Sequence, residues 1–151
     1  MDNQGQFLCN ALIGAAYLVP CLLWDIRTRT IPGWYLALGL LLASGGSVVF
    51  TILGRIPLWE IFASLLPGLF LLTMSYLTRE KIGYGDGICF LILGLMEGPV
   101  PCMLVMLLSF LLSSAASILG MCLHRAGKNT RIPFVPFIIG GIAVQALFLV
   151  I

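Results

Sequence analysis

The sequence predicts an all-α fold, a polytopic transmembrane helical bundle with about six helices, from its composition and its hydropathy pattern. Of the 151 residues, 60% are hydrophobic and only 9% are charged, and the mean hydropathy is +1.10. Soluble domains contain roughly 45–50% apolar and about 25% charged residues. The apolar runs lack the period-two alternation of transmembrane barrel strands, so helices are the expected spanning elements.

Six apolar stretches reach or approach the length of a membrane crossing, which is about 20 residues. We place these helices at 7–24, 34–53, 58–77, 82–97, 100–123 and 134–151. The fourth is the shortest, and it reaches crossing length only if it begins near Ile82 and includes Asp86. The loops are too short for another domain, so residues 1–151 are expected to form a single membrane-embedded domain.

The basic residues indicate how the bundle is oriented. The loops at 25–33, 78–85 and 124–133 fall on one side and hold seven of the eight Lys and Arg residues, whereas Arg55 lies opposite. Cytoplasmic loops carry such an excess of positive charge. We therefore expect a multi-pass protein of the cytoplasmic membrane, with both termini outside. Interfacial anchoring is expected of the aromatic residues near helix ends, namely Trp24, Trp34, Tyr35, Trp59 and Tyr76.

Composition also argues against several kinds of partner. The net charge is only +2, and no exposed stretch interleaves aromatic and basic residues, so no nucleic-acid partner is expected. The five cysteines form no CxxC pair, which argues against a zinc site and a disulfide framework. The expected environment is membrane lipid, and no metal ion or cofactor is expected.

The acidic residues divide between the two predicted faces of the membrane. Near the outer face, hydration can satisfy Asp2, Glu60 and Glu97. On the cytoplasmic side, Asp25 directly follows the first predicted helix, and Asp86 lies in IGYGDGICF between glycines. An ionisable group at membrane depth is costly unless it is paired, hydrated or functional, so these two aspartates are candidate site residues.

Two carboxylates on one face suggest a catalytic dyad, because neighbouring carboxyl groups can share a proton and divide the work of peptide hydrolysis. The ionised member would activate water, and the protonated member would polarise the scissile carbonyl. Gly83 and Gly85 would let a substrate backbone approach closely, or would provide local flexibility. Interfacial ion pairs, Asp25 with a nearby arginine and Asp86 with Lys81, are an alternative that spacing alone leaves open.

Three motifs, in order along the chain, resemble those of a known family. The segment DIRTRTIP, which contains Asp25, and the segment GYGD, which ends at Asp86, resemble the two aspartate motifs of type IV prepilin peptidases, within the GxGD membrane proteases. IPFVPFIIGG resembles the proline-rich opening of a late helix in that family, with Pro133 and Pro136 in matching places. Presenilin and signal-peptide-peptidase relatives are a weaker match, since the chain has no PAL motif.

The resemblance implies a function for these residues. Asp25 and Asp86 would be the catalytic pair, while Gly83, Gly85, Pro133 and Pro136 would bind substrate or shape the site. The reaction would remove the short basic leader of a prepilin-like protein at the cytoplasmic membrane boundary. The short first loop resembles the minimal peptidases of tight-adherence pili and of archaea, so no methyltransferase activity is expected.

Two residues depart from the family pattern, and two other functions compete with proteolysis. Ile88 stands where many members have lysine, and Gly33 stands where they have asparagine. A small carboxylate-dependent transporter would use the same aspartates to bind a cation. A catalytically inactive pilin-assembly factor would hold its substrate without cutting it.

Overall fold

The computed structural model describes residues 3–28, 30–78, 83–122 and 133–150, with side chains from residue 10 to residue 148 of these ranges. The described chain forms six helices and no strand, which confirms the predicted fold class. The helices are α1 (Asn3–Thr28), α2 (Gly33–Ile52), α3 (Leu58–Leu77), α4 (Tyr84–Glu97), α5 (Pro99–Cys122) and α6 (Val135–Val150).

Four of these helices are long and apolar enough to cross a membrane, and the protein is therefore a helical membrane protein. The four spans are Asn10–Thr28, Gly33–Ile52, Leu58–Leu77 and Pro99–Cys122, and α6 is a shorter apolar helix. α4 has 14 residues, so it is roughly 21 Å long, against a hydrocarbon core of about 30 Å. The fourth predicted helix is thus shorter than expected, because it begins at Tyr84 rather than near Ile82.

The first helix extends further than its hydropathy suggests. α1 ends at Thr28, so Asp25 lies within its last turn instead of directly after it. Hydropathy predicts where the helix leaves the hydrocarbon region, but not where the helix itself ends. The residues that follow, Asp-Ile-Arg-Thr, contain no proline or glycine, so the helix continues through them. The Thr28 hydroxyl donates to the carbonyl of Trp24 at 2.9 Å, within the same turn. Asp25 is consequently held on a rigid helix.

The short helix α4 occupies the centre of the bundle. It packs against α1, α2, α3 and α5, while α6 packs against α1 and α5. The middle of α4 is almost completely buried from Cys89 to Leu93. The other helices expose many large apolar side chains, as expected of surfaces that face lipid. Asp86 therefore lies at one end of the most enclosed element.

Glycines allow α3 and α4 to approach closely. A Cβ atom at Gly94 would overlap the backbone carbonyl oxygen of Ser64, and one at Gly68 would lie 2.6 Å from the backbone nitrogen of Leu91. Small residues at helix interfaces permit this kind of packing in membranes. Gly68 and Gly94 thus lie where the two helix backbones come closest.

Glu97 differs from the expectation that it is hydrated. Its side chain is only 8% exposed, and both carboxyl oxygens are buried without a hydrogen-bond partner among the described residues. A Cβ atom at Gly14 of α1 would lie 3.1 Å from Oε1 of Glu97. The expectation was wrong because Glu97 ends a helix that other helices surround, so its end of the bundle is also enclosed.

Candidate active site

Asp25 lies where the last turn of α1 meets the beginning of α6. Its side chain is 8% exposed. Its Oδ2 atom accepts a hydrogen bond of 3.0 Å from the backbone N–H of Val135, 110 positions further along the chain. A backbone N–H that donates to a carboxylate forms a charge-assisted hydrogen bond, which is roughly twice as strong as a neutral one. This contact ties the first aspartate motif to the proline-rich segment.

Asp86 lies in the first turn of α4 and is partly buried. Its carboxyl group is folded back over the start of the helix, where a Cβ atom at Gly83 would lie 3.1 Å from Oδ2. The side chain is close enough to Asp25 for the two carboxyl groups to interact electrostatically. The two aspartates that the sequence singles out thus lie near each other.

The ion-pair alternative has no support among the described residues. Arg27 is exposed on α1, and no ion pair joins it to Asp25 in the part of the chain that the structure describes. Arg29 and Lys81, the other two predicted partners, lie outside the described residues. Asp25 instead uses the Val135 amide.

The two glycines beside Asp86 have different surroundings. Gly83 leaves the space into which the Asp86 carboxyl folds. A Cβ atom at Gly85 would lie 3.5 Å from Cδ1 of Ile31, which is an ordinary van der Waals contact. A larger side chain would therefore be tolerated better at position 85 than at position 83, where it would crowd the Asp86 carboxyl.

The proline-rich segment forms the beginning of α6. Pro133 and Pro136 flank Phe134 and Val135, and the carbonyl of Phe134 accepts the N–H of Phe137 at 3.0 Å. The Phe134 ring packs against Phe90 of α4 and Phe110 of α5, with ring centroids 6.4 and 5.4 Å apart. These contacts anchor the N-terminus of α6 beside Asp25.

A layer of aromatic rings and thiols lies beside the aspartates. Tyr17 and Tyr35 stack with ring centroids 5.0 Å apart, and each hydroxyl donates to the backbone carbonyl of the other residue. The buried thiols of Cys21 and Cys89 lie close enough to interact with each other. Because Cys21 precedes Asp25 by one helical turn, this layer separates the carboxyl groups from the middle of the bundle.

Sequence reasoning did not place this layer near the site. The sequence predicts an interfacial anchor at Tyr35, and it indicates neither a metal site nor a disulfide for the cysteines. The available signal was helical spacing, since Tyr17, Cys21 and Asp25 recur every four residues and Cys89 follows Asp86 by three.

The two departures from the family pattern occupy different surroundings. Ile88 is partly buried and packs against the hydrophobic core. Gly33 begins α2 in an exposed position, and a Cβ atom there would meet no atom within 4 Å. Ile88 therefore packs as an apolar residue against the core. At position 33 there is room for a larger side chain than that of glycine.

The fold and the site together define a helical membrane protein with two interacting carboxyl groups at one end of its bundle. The sequence profile of the type IV leader peptidase family matches residues 12–118, which include Asp25 and Asp86 but not α6. The match covers more than half of the chain, which belongs to this family and is accordingly a membrane peptidase. No curated protein and no solved structure gives a significant match.

Proposed function

We propose that this protein is an intramembrane aspartic endopeptidase that removes the leader peptide from type IV prepilin-like substrates at the cytoplasmic membrane boundary. The observation that supports this proposal is that Asp25 of α1 and Asp86 of α4 lie close enough to interact electrostatically. Membership of the type IV leader peptidase family supports the reaction class. The catalytic type rests on the two carboxyl groups.

The proposed chemistry needs no group beyond the two aspartates and a water molecule. One carboxylate takes a proton from water, which attacks the carbonyl carbon of the scissile peptide bond. The second carboxyl, in its protonated form, donates a hydrogen bond to the carbonyl oxygen and later gives a proton to the leaving amine. The products are a free leader carboxylate and a shortened substrate with a new amino terminus.

Charge distribution supports a cytoplasmic position for the site. Both aspartates lie at the end of the bundle where the basic loops of the sequence are expected, and such loops remain in the cytoplasm. In this orientation both termini lie outside. A basic leader held in the cytoplasm would meet the aspartates just before the hydrophobic helix of the substrate enters the membrane.

The test is the identity of the product that membranes containing this protein make from a prepilin-like substrate. Wild-type membranes should yield a substrate shortened by its leader, with the new amino terminus identified by mass spectrometry. A variant with Asp25→Ala and Asp86→Ala together should yield none, whereas Glu60→Ala, which changes an acid of α3, should cleave normally.

Three outcomes would contradict the proposal. Full cleavage by the double alanine variant would show that the aspartates are not catalytic. Capture of the substrate by the wild type without any shortened product would favour an assembly factor. Cation flux into liposomes that depends on Asp86, without cleavage, would favour a transporter.

A further inference from the structure

The two carboxyl groups of the site have unequal surroundings. Asp25 accepts the N–H of Val135 at 3.0 Å. Asp86 accepts no hydrogen bond from any residue that the structure describes, although it interacts electrostatically with Asp25. A carboxyl that accepts a backbone N–H is stabilised in its charged form, and a neighbouring carboxyl that accepts none is the one more readily protonated beside it.

We infer that the backbone N–H of Val135 is a positioning group that makes Asp25 the water-activating carboxylate and leaves Asp86 as the proton donor. This inference rests on the proposed peptidase function and divides the roles within it. Val135 acts through Asp25 and does not itself touch the substrate.

The beginning of α6 presents the backbone N–H of Val135 to Asp25. Val135 is the first residue of the helix, where the partial positive charge of the helix dipole is concentrated. Pro133 and Pro136 have no backbone N–H, and the N–H of Phe137 is used by the carbonyl of Phe134. Val135 therefore supplies the N–H that meets Asp25.

The first turn of α4 does not provide the same stabilisation for Asp86. Although Asp86 is also close to a helix N-terminus, its carboxyl is folded over Gly83 and accepts no N–H from that turn. The backbone N–H of Asp86 itself donates to the carbonyl of Gly83 at 3.1 Å. The two helix ends are therefore not equivalent.

Among the residues that the structure describes, few other titratable groups lie on the helices around Asp25. α1 packs against α4 and α6. It also contacts α2 through the stacked rings of Tyr17 and Tyr35, two further titratable groups. α4 contributes Asp86 and Cys89, α1 itself contributes Cys21 and the exposed Arg27, and residues 133–148 contain no titratable side chain. Asp25 and Asp86 are the two carboxyl groups among these side chains. The acidic limb of the cleavage profile, where the rate falls as the pH is lowered, is therefore assigned to them. The two limbs belong to the dyad as a coupled pair.

Val135→Pro removes the N–H and tests the inference through the pH dependence of kcat/KM. Proline is well tolerated at the first position of a helix, and the preceding Phe134 lies outside the helix. The acidic limb should move to higher pH, so that the rate at pH values below the limb falls by about 10-fold or more. Val135→Ala, which keeps the N–H, should leave the limb at its wild-type position.

Two further variants separate this effect from general damage to the fold. Leu58→Pro makes the same substitution at the first residue of α3 and should leave the profile unchanged. Asp86→Asn replaces the carboxyl by a neutral hydrogen-bond donor that cannot lose a proton. The residual activity should therefore no longer fall at high pH, where the basic limb lies, but should still fall at low pH, where Asp25 becomes protonated. This second profile decides the inference even if Val135→Pro does not fold.

The inference would be overturned by an active Val135→Pro variant with the wild-type acidic limb. Loss of the acidic limb in Asp86→Asn would also overturn it, because the water-activating role would then belong to Asp86. Both of these results can be obtained only if the wild-type enzyme cleaves its substrate. If the proposed function is wrong, the wild type makes no product, so the two failures are distinguishable.

Discussion

Asp25→Asn and Asp86→Asn should each lower the rate of leader cleavage by a factor of about 10² to 10⁴, the usual contribution of a general acid or base. Asparagine has nearly the shape of aspartate but cannot take up or release a proton. At position 25 its amide oxygen can still accept the Val135 N–H, so the contact between α1 and α6 should survive. The loss is therefore chemical rather than structural.

The measurement for these two variants is the initial rate of product formation in membranes that contain equal amounts of folded protein. Glu60→Gln makes the same carboxyl-to-amide change in the first turn of α3 and should cleave at the wild-type rate. A wild-type rate in either aspartate variant would remove that residue from the catalytic mechanism.

Gly94→Ala should produce the largest loss of stability among conservative substitutions at the α3–α4 interface. The added methyl group would overlap the backbone carbonyl oxygen of Ser64, which cannot rotate away as a side chain can. α3 and α4 must therefore separate, and overpacking of this kind costs about 1–3 kcal/mol, occasionally more. Because α4 carries Asp86, cleavage should fall as well.

Gly46→Ala is the matched control for Gly94→Ala. Gly46 is also helical, but a Cβ atom there would meet no atom within 4 Å. Alanine is favoured over glycine within a helix by about 0.5–1 kcal/mol, so this variant should be equally or more stable than the wild type. Thermal unfolding in detergent compares the two, and equal midpoints for Gly94→Ala and the wild type would contradict the close packing described above.

Much of the fold follows from sequence because hydropathy reports directly on burial in lipid. The bounds of α2, Gly33–Ile52, differ by one residue at each end from the predicted 34–53. The end of α1 was misplaced because hydropathy detects the membrane boundary and not the end of a helix. The enclosure of Glu97 was missed because assignment to one side of the membrane does not determine which neighbours surround a residue.

The candidate site could be predicted in part. The predicted topology puts Asp25 and Asp86 on the same side of the membrane, and in the structure they lie close enough to interact electrostatically. The Val135 contact could not be predicted, because a backbone N–H leaves no side-chain signal and its partner is 110 positions away. The placement of Cys21 and Cys89 was accessible in principle from their helical spacing to the two aspartates.

The most direct test of the central claim, that Asp25 and Asp86 act as one catalytic unit, is the cleavage rate of the double variant Asp25→Asn/Asp86→Asn beside each single variant. Residues that act as a unit are strongly non-additive, since loss of one already abolishes the shared function. The double variant should therefore cleave no more slowly than the slower single variant. If the rate reduction of the double variant equals the product of the two single-variant reductions, the aspartates contribute independently, which would contradict the claim.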